Sequence, residues 1–326
     1  MNNNNGGEDA EFQKWFPGLY RPRTGTKCNK AKLRILCFPP AGCAEDLFST
    51  EGTGTRHEKS PLLEWAHSQS TEVLAVQYPG RNNRKRLGES PVKSIAEIVT
   101  PLHSVLCDYW EKYDNDENDM DVPYVIIAHS VGTWIAYELL QLIQSNSTKT
   151  SSKKMQMPEH VFFSSFPPPT IPHDERPWRI NAQLNEEQFK EECRRWNVNE
   201  IVFTHVWSVY HPLLRADFTL FDQYTHQHAT STTDDAEKKK FNFPMTIFHA
   251  KHDGMITQSM CESWKEFIAS SSSSSTDFES IEIENGHHLF PLEKEQKSLW
   301  LKLIVKRLED VMDMIELKLE YAGMGL

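Results

Sequence analysis

Tyr124-Val-Ile-Ile-Ala-His-Ser-Val-Gly132 is the stretch on which the fold turns. Its first five residues are the most continuously apolar short run in the chain, and Trp134 to Ile143 behind it are apolar nearly all round. The spacing predicts a strand over Tyr124–Ala128 that is covered on both faces, followed at once by a buried helix. Ser130 falls on the sharp turn between them, where a serine hydroxyl is carried to the exposed top of the sheet. The usual pattern for such a turn is G-x-S-x-G, because small residues let backbones approach closely. Here Ala128 stands in the first place and is small enough to fit.

Working outward, five more short apolar runs predict strands: Leu33–Phe38, Glu72–Tyr78, Val161–Ser165, Met245–His249 and Ser280–Glu284. Helix-period patterning fills the gaps over Val92–Tyr113, Ser259–Ile268 and Leu292–Leu319. Strands alternating with helices predict an α/β fold, a mainly parallel sheet flanked by helices. The alternation fails between Pro167 and Lys240. That stretch has no convincing strand but clear helical patterning at Asn185–Trp196 and Pro212–Tyr224. It reads as a helical cap, residues 167–240, inserted after the fourth strand above the edge where ligands bind in open α/β sheets. The core is then 31–166 and 241–326, with 1–30 a poorly ordered extension. Polar tracts at Ser49–Ser60, Asp114–Asp121, Ser145–Lys154, Thr230–Lys240 and 270–275 read as loop insertions that bury too little apolar surface to order themselves.

Composition narrows the function class. The 326 residues carry 35 Lys plus Arg against 46 Asp plus Glu, a formal charge of −11. A general nucleic-acid binder would show the opposite balance. No apolar run approaches the roughly 18 residues of a membrane span. Neither a secretory signal nor a transit peptide is legible at the N-terminus, so a cytoplasmic protein is expected. Six cysteines show no zinc-ligand spacing and read as reduced thiols. No metal or cofactor is expected.

A nucleophilic serine needs a base and an orienting acid, which this fold supplies in the chain order Ser, Asp, His. Asp253 follows the fifth predicted strand, and Asn285-Gly-His-His288 follows the sixth. The expected base is His287, directly after the glycine, with His288 as the alternative. An oxyanion formed at Ser130 needs two preorganised N–H donors. One is the amide of Val131. The other is Ala41, the first residue with a free N–H in the Pro39-Pro40-Ala41-Gly42 loop, since proline has none.

Leu36-Cys-Phe-Pro-Pro-Ala-Gly42, Val73-Leu-Ala-Val-Gln-Tyr-Pro-Gly-Arg81 with Arg84, Ala128-His-Ser-Val-Gly132, Pro212-Leu-Leu-Arg-Ala-Asp-Phe218 with Tyr224, Asp253 and Gly286-His287 together resemble the type II thioesterases of the α/β-hydrolase class, oleoyl-carrier-protein hydrolases among them. The resemblance spans about residues 33 to 308. It departs from the family at Pro40, usually His, at Cys43, often Gly, and at Ala128. It implies a serine thioesterase with Ser130, Asp253 and His287 as its triad. Such an enzyme releases fatty-acyl or polyketide-like groups from acyl carrier protein or coenzyme A, with the acyl chain admitted under the cap. The basic cluster Arg81, Arg84, Lys85 and Arg86 then offers charge for a phosphopantetheine phosphate. A carboxylesterase or lipase shares the same triad, and a non-catalytic carrier-docking protein is the third reading. An intact Ser, Asp and His argues against the last.

Overall fold

The structure is a computed structural model that describes residues 5–19, 23–24, 27–28, 31–50, 60–114, 122–147, 155–226, 240–269 and 278–323. Most of the polar tracts named above, namely 51–59, 115–121, 148–154, 227–239 and 270–277, lie outside the described residues.

Six strands form one sheet: β1 Leu33–Phe38, β2 Thr71–Ala75, β3 Tyr124–His129, β4 His160–Ser164, β5 Met245–Ala250 and β6 Phe278–Ile283. Their spatial order is β2-β1-β3-β4-β5-β6, and every neighbouring pair is parallel. The sequence predicts all six, Leu33–Phe38 without a difference and the others with ends differing by at most three residues. Alternate residues of each central strand feed two separate cores. Leu36, Phe38, Ile126 and Ala128 pack on one face, and Ile35, Cys37, Val125 and Ile127 on the other. This is why these strands read as unbroken apolar runs rather than as alternating ones.

On the first face lie α1 Asn5–Trp15, α3 Ala96–Asp114 and α4 Val131–Ser147. The second is covered by α2 Pro61–Ser68 and α7 Lys294–Gly323. α7 presents Trp300, Leu301, Ile304, Leu308, Val311, Met312 and Ile315 inward at three- and four-residue steps, all buried.

Residues 12–16 of the N-terminal extension are packed where poor order is expected. Phe12, Trp15 and Phe16 are buried in the first core, Phe12 stacks on Tyr109 of α3 with ring centroids 4.3 Å apart, and the carbonyl of Trp15 accepts from the amide of Gln77 at 2.8 Å. The asparagine-rich first residues hide this apolar stripe in a composition reading.

The stretch after β4 contains α5 Glu186–Arg195, a π-turn at Val202–Val206 and α6 Trp207–Asp222. α5 begins on a capping box, with Asn185 accepting from the Gln188 amide and the Gln188 side chain returning to the Asn185 amide. The layer is held by rings. Phe166 at the end of β4 stacks on Trp178 at 5.5 Å, and Trp196, Phe218 and Phe221 close around them. Trp134 of α4 meets Phe166 and Trp178 edge-on from below.

The direction of travel across the sheet reverses at β1, between β2 and β3. The carboxyl ends of β1 and β3 therefore flank the crevice where open α/β sheets bind ligands.

Candidate active site

Ser130 occupies the turn from β3 into α4 with φ +55°, a left-handed conformation rare for a side chain larger than glycine. The strain is held by its surroundings. Its amide donates to the carbonyl of Ser164 at 2.9 Å, and its own carbonyl accepts from the amide and hydroxyl of Thr133 at 2.9 and 2.8 Å. Gly132 shows why the motif needs a small residue after the serine. A Cβ there would lie 2.6 Å from the carbonyl oxygen of Phe38 and 2.9 Å from that of Pro39. The close approach is thus between α4 and the loop after β1, and it brings that loop against the nucleophile turn.

The Ser130 hydroxyl lies 2.9 Å from Nε2 of His288, and Nδ1 of His288 lies 2.7 Å from Oδ2 of Asp253. Here the structure corrects the expected histidine. His287 is exposed and its Nδ1 faces the carbonyl of His252 at 3.1 Å, away from the serine. The cause is alternation along the loop. His288 and Phe290 face the interior while His287 faces solvent, so standing next to the glycine does not aim a ring at the serine. The backbone of His288 is held from both sides. Its amide donates to Oδ1 of Asn197 at 3.3 Å, and its carbonyl accepts from Nε2 of His129 at 2.8 Å. Trp196 sets its ring against the imidazole edge-on, centroids 4.6 Å apart.

Asp253 comes from the loop after β5, which is tied to the β6 loop by the His252 amide donating to the Gly286 carbonyl at 2.9 Å. Its side chain and that of His288 are almost wholly buried, at 0% and 1% exposure. Burial alone raises the carboxyl's pKa. The His288 charge and hydrogen bond, with the amides of Ile256 and Met255 at 3.0 and 2.9 Å, outweigh that and hold it below the ordinary carboxylate value. An ionised carboxylate only accepts, so Nδ1 of His288 carries the proton and Nε2 is left to accept from the serine. His129, beside the nucleophile, is a buried structural group. Burial first, and the nearby His288 second, drive its pKa well below the usual imidazole value, so it stays neutral while Nε2–H holds the His288 carbonyl.

Val131 is the first residue of α4, where helix amides have no intrahelical acceptor and the helix dipole favours negative charge. Ala41 lies in the loop that Gly132 admits against this turn.

The basic cluster divides. Arg81 and Arg84 turn inward and are 4% exposed, each paired with a carboxylate, although Arg81 still borders the groove described below. Arg81 pairs with buried Asp217 of α6, donates from Nε to the carbonyl of Cys43 at 2.7 Å and lies over the Tyr78 ring. Arg84 pairs with Glu89 at 2.5 Å and lies over Trp15. A guanidinium that stacks on a ring buries as readily as it solvates, which charge counting does not register. Lys85 and Arg86 remain exposed. Lys85 lines a groove of about 790 Å³ together with Lys297, Tyr210, Leu213 and Leu292. Sequence reasoning missed Lys297, Asn197, Tyr210 and the Arg81–Asp217 pair. Arg81 and Asp217 sit inside runs quoted for the family resemblance, but nothing in their spacing shows that they meet.

A strained serine on a strand–turn–helix, bonded to a histidine that is bonded to a buried aspartate, at the switch point of a parallel sheet, defines the serine hydrolases of the α/β-hydrolase fold. The comparisons agree. The thioesterase domain family matches residues 33–308, and the chain belongs to that family of thioester hydrolases. GrsT, a gramicidin S biosynthesis protein of Aneurinibacillus migulanus, is 27% identical over 262 residues, 79% of this chain and 82% of its own. Among solved structures, RedJ, a thioesterase of the prodiginine pathway in Streptomyces coelicolor, superposes with a TM-score of 0.64 at 21% identity, covering 87% of this chain and 91% of its own. YbtT, a type II thioesterase of the yersiniabactin NRPS/PKS pathway, does so at 0.55 and 16% identity, over 90% and 99%. At those identities the two structures establish the shared fold. No described helix is long and apolar enough to cross a membrane.

Proposed function

We propose that this chain hydrolyses acyl groups from the phosphopantetheine thiol of a carrier protein, through an acyl-enzyme on Ser130. The observation that carries the reading is the relay from Ser130 through His288 to Asp253 at hydrogen-bonding distance throughout. His288 takes the hydroxyl proton as Ser130 Oγ attacks the thioester carbonyl, and Asp253 stabilises the imidazolium. The amides of Val131 and Ala41 receive the oxyanion. As the tetrahedral adduct collapses, the carbon–sulfur bond breaks and His288 returns the proton to the leaving thiolate. A water then gives its proton to His288 and attacks the acyl-enzyme. Collapse releases the carboxylic acid and restores the serine hydroxyl.

A carrier-bound substrate is supported by the relatives, one of which is named for an NRPS/PKS pathway and another for gramicidin S biosynthesis. The groove supports it too, since exposed Lys85 on its wall offers a charge to a phosphodiester, although Asp46 and Glu89 share the lining. Double charge reversal at Lys85 and Arg86 should raise KM for carrier-bound substrate at low salt and spare kcat. The central experiment is hydrolysis of one acyl group presented on carrier protein, on coenzyme A and as a p-nitrophenyl ester, by wild type and Ser130→Ala. Preference for the carrier thioester, lost in Ser130→Ala, is the expected result. Preference for the oxygen ester makes the chain an esterase, and turnover that survives Ser130→Ala removes the acyl-enzyme.

A further inference from the structure

We infer that Tyr210 and Asp217, both on the cap helix α6, are positioning residues for the oxyanion loop, so that the site is complete only with this helix seated. The inference rests on the reading of the Ala41 amide as an oxyanion donor.

The loop from Pro39 to Cys43 cannot anchor itself well. Pro39 and Pro40 have no N–H, and its internal tie is the Cys43 amide donating to the Pro40 carbonyl at 3.1 Å. The other grips come from outside. The Tyr78 hydroxyl donates to the carbonyl of Pro39 at 3.0 Å, and Nε of Arg81 donates to that of Cys43 at 2.7 Å. From α6, Oδ2 of Asp217 accepts the amide of Gly42 at 2.6 Å, and the Tyr210 hydroxyl donates to the carbonyl of Gly42 at 2.5 Å.

Both polar groups of the residue next to Ala41 are thus held by one helix, 168 and 175 positions away in sequence. Asp217 also pairs with Arg81, so one carboxylate ties the helix to two grips on the loop. Gly42 adopts φ +76°, and a Cβ there would lie 2.8 Å from Leu214 Cδ2, so α6 presses directly on the turn. Asp217 and Arg81 are 2% and 4% exposed. A buried pair of this kind contributes definition of geometry more surely than net stability. Definition is what an oxyanion donor requires, because an amide that must rotate into place during the reaction stabilises little.

The test is Tyr210→Phe and Asp217→Asn in the full chain, assayed on the carrier-bound acyl thioester beside wild type and Ser130→Ala. Asp217→Asn should lower kcat about tenfold or more and Tyr210→Phe several-fold, against the ~100-fold or greater loss when a donor itself is removed. KM should stay within about twofold, since ground-state binding is not what the loop supplies. The acid limb of the pH–rate profile should not move, because the Ser130–His288–Asp253 relay is untouched. A merely structural defect would spread into KM and that limb. If Asp217→Asn does not fold, Tyr210→Phe, which removes one hydroxyl from a partly exposed ring, decides alone. Wild-type kcat in the folded variants, or a change confined to KM, overturns the clamp while the hydrolase reading stands. Wild type no faster than Ser130→Ala overturns that reading and the clamp with it.

Discussion

At the residue scale the sharpest contrast is between two adjacent histidines. His288 joins Ser130 to Asp253, while its exposed neighbour His287 meets the ring and the backbone carbonyl of His252, away from the serine. His288→Ala should therefore lower kcat by about 10³-fold or more, while His287→Ala stays within a few-fold of wild type. Steady-state kinetics on the two variants check this, and equal losses would contradict the geometry. The serine was legible because a strand and a helix frame it on either side. The histidine was misread because glycine adjacency says nothing about which way a ring points. The pattern that does was present, since His288 and the large apolar Phe290 stand two apart and share the buried side. The arginines teach the same lesson from the charge side. Four cations in six residues look like one patch, but Tyr78 and Trp15 draw two of them inward.

At the scale of elements, α1 is the clearest departure from expectation. Met1-Asn-Asn-Asn-Asn-Gly-Gly reads as disordered, yet Phe12, Trp15 and Phe16 follow at helical steps and bury against α3. Trp15 is 1% exposed, stacks under Arg84 and receives Gln77 on its carbonyl. Trp15→Ala should cost about 3–5 kcal/mol, the range for deleting a large buried ring. Urea unfolding should show a lower midpoint at the same slope. An unchanged midpoint would mean that α1 is not docked. The four inner strands are easier to read than this helix because they lie in the sheet interior, where both faces demand apolar residues. The stretch after β4 reads as helical from its spacing, but its reach into the site does not, because contacts such as Asp217 to Gly42 depend on packing that no local pattern encodes.

For the whole molecule, buried imidazoles tie stability to pH. Burial first, with help from Arg307, pushes His160 down to about 3 from 6.5, and burial also depresses His129. Below about pH 6.5 the unfolded chain takes up protons at these positions and the folded chain does not. Stability is therefore full above pH 6.5 and falls as the pH drops toward 3, by about 1.4 kcal/mol per unit for each such group. Thermal melts from pH 8 to 4 should show Tm declining through this window, and His160→Gln, neutral throughout, should decline less steeply. Equal slopes would show that His160 is not held neutral.

The α/β class, the six strands of the main sheet and the serine turn can all be read from one sequence, because parallel sheets impose apolar runs and sharp turns on the chain; the short antiparallel pair Arg23–Thr24 and Lys27–Cys28 leaves no such run. Parallelism has one more effect. Ser130, Asp253, His288 and the Pro39–Cys43 loop all leave the sheet at the ends toward which its strands run. Tyr124, His160, Met245 and Phe278, the first residues of β3, β4, β5 and β6, stand instead at the opposite rim. The molecule is polar in the mechanical sense, with the chemistry gathered at one pole and the strand starts at the other. A substitution at a strand start falls on the pole that does no chemistry.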